Sequence, residues 1–188
     1  MPKIKFQELR YISNILSLMR MVLLLPIYYF MQLNTTSGNY WAVFVMLVAA
    51  ATDALDGKLA RKLKQKSDLG RILDPLADKI GVTIMAILLV KLRGLPLWFL
   101  IFAVARDAVI LLAGLVLAVR SKLVVESNMI GKITVNSLGM LIISYTLRFD
   151  PLRSFFLWLS VLLLVVSSIS YAIKLVKILR ARSDVPVT

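Results

Sequence analysis

The sequence predicts an all-α, polytopic membrane protein: six transmembrane helices behind a short N-terminal amphipathic helix. Three observations lead there. Apolar residues make up 60% of the 188-residue chain and its mean hydropathy is +0.85, whereas soluble domains are roughly 45–50% apolar. The apolar residues fall into six runs, and a spanning helix needs ~20 mostly apolar residues. Lys and Arg collect between alternate runs, the asymmetry that orients membrane helices.

Taken in order, residues 1–13 are an interfacial segment. Pro2 to Ser13 sets Lys3, Lys5 and Arg10 among Phe6 and Leu9, a pattern that lies on a membrane surface. Spans are expected near 14–33, 40–63, 71–92, 96–120, 128–148 and 152–179, with 180–188 a cytoplasmic tail, all within one domain, 1–188. No small-residue cleavage site follows the first run, so it is read as a retained span. Asn34 to Asn39 reads as a polar turn without basic residues. Pro96 and Pro151 stand near helix starts, where proline is tolerated. The sequence has no internal repeat and no low-complexity segment.

With the N-terminus inside, the cytoplasmic side holds Lys3, Lys5, Arg10, Lys58, Arg61, Lys62, Lys64, Lys66, Arg71, Arg120, Lys122, Lys174, Lys177, Arg180 and Arg182. The outer side holds Lys91, Arg93, Arg148 and Arg153. Both termini are therefore placed in the cytoplasm, in a multi-pass protein of the cell membrane. Arg20, Lys79, Arg106 and Lys132 remain inside the spans, where a charge is costly and usually functional or paired. The net charge is +13. Because the basic residues alternate with apolar runs, the anionic cytoplasmic leaflet is the expected partner and nucleic acid is not.

Two spans carry the carboxylates. Asp53 and Asp56 stand three apart in the second; Asp74 and Asp78 stand four apart in the third. Each pair shares one helix face. A short connection makes the two helices antiparallel neighbours. Both pairs then lie roughly 5–15 Å from the cytoplasmic helix ends at ~1.5 Å per residue. Four like charges cannot gather there uncompensated. The chain has no His and no Cys, so a metal would be held by oxygen alone, which favours Mg²⁺, Mn²⁺ or Ca²⁺. Two divalent ions match four carboxylates, and paired metals stabilise the attacking and leaving oxygens of phosphoryl chemistry. Gly57 and Ala60 add a smooth backbone patch that a nucleobase can approach. The competing reading is structural: Asp56 paired with Lys58 or Arg61, Asp78 with Lys79, and Gly57 as a helix-packing glycine. Four Asp at one depth on adjacent spans weigh against it. Asp68, Asp150 and Asp184 read as solvated loop or terminal charges.

These residues resemble the pattern of the CDP-alcohol phosphotransferase family, D-x2-D-G-x2-A-R-x8-G-x3-D-x3-D. Asp53, Asp56, Gly57, Ala60, Arg61, Gly70, Asp74 and Asp78 meet every spacing across the second and third spans. The resemblance implies that Asp53, Asp56 and Asp74 bind metal, two ions of Mg²⁺ or Mn²⁺. It implies that Asp78 completes the metal site and acts as catalytic base on the acceptor hydroxyl. Asp53, Asp56, Gly57, Ala60, Arg61 and Gly70 would form the CDP-lipid site, Gly70 by letting the helices approach. The implied reaction transfers the phosphatidyl group of CDP-diacylglycerol to an alcohol and releases CMP.

The acceptor is argued from charge. Asn14 to Arg20, Leu73 to Lys79, Arg106-Asp107 and Gly131-Lys132 are similar to phosphatidylglycerophosphate synthases of the family, and also to its cardiolipin synthases. Ala54 stands where Trp is frequent and Asp107 where Glu is frequent. Arg106 and Lys132 would clamp the phosphate of a small phosphorylated alcohol, with glycerol-3-phosphate expected. The alternative for this pair is pairing with Asp107 or with a lipid headgroup. By residue count Arg106 lies deep, roughly 20 Å from Arg120, so a shared ligand requires a tilted or protruding span. Arg20 would serve the CDP-lipid phosphates or helix packing. Alternative acceptors are phosphatidylglycerol, giving cardiolipin, and inositol phosphate. A metal-ion transporter is the rival class, but it favours repeated halves and broken helices. A homodimer is an open possibility.

Overall fold

A computed structural model of the chain describes residues 12–62, 70–121 and 129–183, with side chains at 18–52, 79–110, 112 and 129–173. Every regular element among the described residues is an α-helix: α1 (Ile12–Gln32), α2 (Thr36–Lys62), α3 (Gly70–Arg93), α4 (Leu97–Ser121), α5 (Met129–Leu147) and α6 (Asp150–Ser183). These correspond one to one with the six expected runs. The expected N-terminal amphipathic helix, the segment with Lys64, Lys66 and Asp68, and the tail with Asp184 lie outside the described residues.

The chain forms two compact units, one of residues 1–95 with 145–148, the other of 96–144 with 149–188. In the first, α1 packs on both α2 and α3. Ile27 and Met31 of α1, Ala42 of α2, and Met85 and Leu89 of α3 are buried there. Thr35 caps α2, its Oγ1 accepting from the Gly38 amide at 3.0 Å, and so relieves one of the helix's unpaired N–H groups. The polar turn is thereby shorter than the sequence suggests, because Thr36 to Asn39 already belong to α2. Gly38 is required for this entry: a Cβ there would sit 2.7 Å from the Phe30 carbonyl oxygen. Asn34 closes α1 in the left-handed region (φ 55), and Gly94 closes α3 at φ 73, the conformation that ends many helices.

In the second unit, Pro96 precedes α4 and Pro151 stands in the first turn of α6. Asp150 is not a loop charge but begins α6, accepting from Arg153 at 2.9 Å. Between α5 and α6 the contacts are small and polar. Ser137 and Ser160 Oγ atoms are 2.9 Å apart, and Thr134 Oγ1 donates to the carbonyls of Ile130 and Leu163. Thr134, Ser137, Ser160 and Ser167 are all buried, the composition that lets helices approach closely in lipid.

Among the described residues, two helices are long and apolar enough to cross a membrane, Met129–Leu147 and Asp150–Ile173. A shorter apolar stretch, Leu18–Gln32, lies in α1, while α2 carries one acidic pair, α3 the other with Lys79, and α4 Arg106 and Asp107.

Candidate active site

The acidic motif sits on two helices of the first unit. Asp53, Asp56, Gly57, Ala60 and Arg61 occupy the last turns of α2; Gly70, Asp74 and Asp78 occupy the first turns of α3. Their side chains lie outside those described, so helix position and direction define the arrangement. The C-terminal residue of α3, Arg93, bonds to the end of α1 and the start of α2. Since α1 packs along both, α2 runs opposite to α1 and α3. The ends carrying the two acid pairs therefore lie at the end of the unit away from Arg93.

A donor set of four carboxylates in a chain without His or Cys suits a hard, oxygen-seeking cation. Two cations of the unit were expected to be functional or paired. Arg20 on α1 and Lys79 on α3 are both half-buried. The Lys79 carbonyl also accepts from Thr83 Oγ1 at 2.7 Å.

The second unit contains the expected acceptor cations. Arg106 on α4 is mostly buried, its side chain 15% exposed. Its Nη1 donates to Asp107 Oδ1 at 2.8 Å, Nε to Ser168 Oγ at 3.3 Å and Nη2 to Ser167 Oγ at 2.5 Å. The pairing with Asp107 that competed with an acceptor role is thus present. A guanidinium has five N–H donors, and these three bonds leave two. The guanidinium carbon also stands 5.9 Å from the ring centroid of Tyr171. A Cβ at Gly131, the residue before Lys132, would lie 3.8 Å from the Tyr171 hydroxyl. Arg106 and the start of α5 thus approach one tyrosine, and the depth difference counted along the sequence does not separate them. Lys132 itself is exposed.

Sequence reasoning passed over Ser167, Ser168 and Tyr171. Their signal was available: polar residues spaced one, three and four apart, which share a helix face, inside the apolar stretch of α6. It also passed over Arg93, taken as an outer loop cation. Arg93 is 6% exposed and bonds to Met31, Asn34 and Asn39.

Comparison with known proteins agrees with the motif. The chain is 33% identical over 175 residues to the CDP-diacylglycerol–glycerol-3-phosphate 3-phosphatidyltransferase of Aquifex aeolicus, covering 87% of this chain and 94% of that one. It is 35% identical over 134 residues to the Bacillus subtilis protein of the same name, covering 68% and 69%. To the cardiolipin synthase (CMP-forming) of Streptomyces coelicolor it is 36% identical over 121 residues, covering 58% of this chain and 56% of that one. The match thus spans only about half the length of some relatives. Residues 10–166 fit the family profile named CDP-alcohol phosphatidyltransferase. On that match and the Aquifex likeness, this chain belongs to the CDP-alcohol phosphatidyltransferase family.

Proposed function

We propose that the chain transfers the phosphatidyl group of CDP-diacylglycerol to glycerol-3-phosphate, releasing CMP, at the cytoplasmic face of a membrane that its six helices cross. The observation that carries this is the eight-residue motif from Asp53 to Asp78, met at every spacing and divided between the antiparallel α2 and α3. The Aquifex and Bacillus relatives, both named for this reaction, support it.

The carboxylates of Asp53, Asp56, Asp74 and Asp78 would hold Mg²⁺ or Mn²⁺, two ions for four charges. Bound there, the ions would neutralise the diphosphate and the departing CMP. Gly57, Ala60, Arg61 and Gly70 would leave room for and grip the CDP moiety. Asp78 takes the proton of the acceptor hydroxyl onto its carboxylate. The acceptor oxygen then bonds to the lipid-linked phosphorus, and the anhydride bond to CMP breaks. Arg106, pre-oriented by Asp107, Ser167 and Ser168, would give its remaining N–H groups to the acceptor phosphate with Lys132.

Exposure supports the six spans. Large apolar side chains face outward on every helix, including Leu25 (67%) on α1, Phe44 (55%) on α2, Val82 (49%) on α3, Val109 (64%) on α4 and Val135 (66%) on α5. Apolar surface on this scale belongs against lipid. Within the first unit Tyr29 and Trp41 flank the turn 33–35, and within the second Trp98 and Phe149 stand beside helix starts, all exposed, as aromatic side chains at a membrane interface would.

A second acceptor is favoured by one observation. The Streptomyces relative is named a cardiolipin synthase, so phosphatidylglycerol is the alternative to glycerol-3-phosphate. Purified protein given labelled CDP-diacylglycerol and each acceptor in turn decides between them. Phosphatidylglycerophosphate as the product supports the proposal; cardiolipin as the sole product replaces it.

A further inference from the structure

Arg93 ends α3 inside the first unit, 6% exposed. A buried guanidinium is costly unless its donors are used. Here Nη2 donates to the Met31 carbonyl oxygen at 2.9 Å and to Asn39 Oδ1 at 2.7 Å. Nη1 donates to the Leu92 carbonyl oxygen at 3.1 Å and to Asn34 Oδ1 at 3.4 Å. Met31 belongs to the last turn of α1 and Asn39, itself 7% exposed, to the first turn of α2. Asn34 lies between them and also accepts from Arg148. One side chain therefore grips three helices at their common end.

Apolar contacts alone fix axial position poorly. In lipid no hydrophobic force drives helices together, and packing with interhelical hydrogen bonds must set their register. Short, directional bonds define that position within a fraction of an ångström. Asp53 and Asp56 lie fourteen and seventeen residues along α2 from Asn39, about 21 and 26 Å at 1.5 Å per residue. Asp78 and Asp74 lie fifteen and nineteen residues back along α3 from Arg93, about 22 and 28 Å. Measured from this tie, the acid pairs fall at the same depth. A slip of one residue on either helix would move one pair by about 1.5 Å, whereas Mg²⁺ demands oxygen ligands at about 2.0–2.1 Å in near-ideal geometry.

We propose that Arg93, through its bond to Asn39, is a positioning residue for the transfer site. From the far end of the unit it sets the axial register of α3 against α2, and with it the coincidence of Asp53 and Asp56 with Asp74 and Asp78. This rests on the reading of those four carboxylates as the metal site.

The test uses Arg93→Met, Arg93→Lys and Asn39→Ala in the full chain, plus Arg93→Lys combined with Asn39→Asp. Mn²⁺ affinity is read from loss of the free-ion EPR signal, alongside kcat, both substrate KM values and melting temperature in detergent. All three single variants are expected to bind Mn²⁺ more weakly and to lose about tenfold or more in kcat, with acceptor KM unchanged. The Lys–Asp pair is expected to recover both Mn²⁺ affinity and kcat. Should Arg93→Met not fold, the milder Asn39→Ala and Arg93→Lys carry the comparison. Variants that melt earlier yet keep wild-type Mn²⁺ affinity and kcat per folded molecule would overturn the proposal. Asp56→Asn, run in parallel, separates the two levels: if it binds Mn²⁺ like the wild type, the metal-site reading itself has failed.

Discussion

The guanidinium of Arg106 lies 5.9 Å from the ring centroid of Tyr171, and the Tyr171 hydroxyl faces the start of α5 at Gly131. A cation on α4 and the residue preceding Lys132 on α5 thereby meet at one aromatic side chain of α6. Arg106→Ala and Lys132→Ala should each raise KM for glycerol-3-phosphate far more than for CDP-diacylglycerol. A charge-assisted contact contributes about 1.5–3 kcal/mol, so the rise should be about ten- to a hundredfold. Steady-state kinetics with each substrate varied checks this. An unchanged acceptor KM in both variants removes the phosphate clamp.

How far such a site can be read from sequence depends on the kind of signal. The six helices were legible because apolar runs, Pro96 and Pro151 mark their limits. The family was legible because the motif's residue types stand at fixed spacing. Arg93 was not. Its neighbours in sequence, Leu92 and Gly94, suggest a helix end in solvent, and only packing against Met31 and Asn39 buries it. Asn39 was read as a turn residue because Thr35, the cap, is indistinguishable in sequence from Thr36. Tyr171 fell into the apolar background of α6, since its partner lies on another helix.

Metal removal should stop the reaction. Four carboxylates without His or Cys leave oxygen as the only ligand type for the site. CMP release is expected to fall to background in chelator and to return with Mg²⁺ or Mn²⁺. Full turnover in chelator would rule out the metal-assisted route.

The two ends of the motif should separate binding from chemistry. Asp78→Asn is expected to abolish turnover while CDP-diacylglycerol still binds, because the amide cannot accept the hydroxyl proton. Asp56→Asn is expected to lose metal and nucleotide binding together. Equilibrium binding of labelled CDP-lipid beside single-turnover assays distinguishes them. Wild-type kcat in Asp78→Asn would reassign the base.

Gly38→Ala should destabilise the first unit. Its Cβ would stand 2.7 Å from the Phe30 carbonyl oxygen and 3.0 Å from Thr35 Oγ1, so α2 must shift away from α1. Overpacking of this kind costs about 1–3 kcal/mol. A lower melting temperature in detergent is expected, and an unchanged one would show that the α1–α2 turn yields freely.

The proposed six-span arrangement makes a prediction that two spans, α5 and α6, cannot meet. The chain has no Cys, so single cysteines can be introduced against a silent background. Leu97 at the start of α4 and Phe149 just before α6 are both exposed, and six spans place both on the outer side. Lys66 and Glu126, which follow α2 and α4 in the sequence, are expected on the cytoplasmic side. A membrane-impermeant maleimide added to right-side-out vesicles should label Leu97→Cys and Phe149→Cys, and should label Lys66→Cys and Glu126→Cys only after permeabilisation. If α5 and α6 alone crossed the bilayer, Leu97 and Glu126 would lie on one side and Phe149 on the other. Labelling of Leu97→Cys and Glu126→Cys from the same side would therefore remove α4 as a span. It would also move Arg106, the cation proposed to hold the acceptor phosphate, out of the membrane.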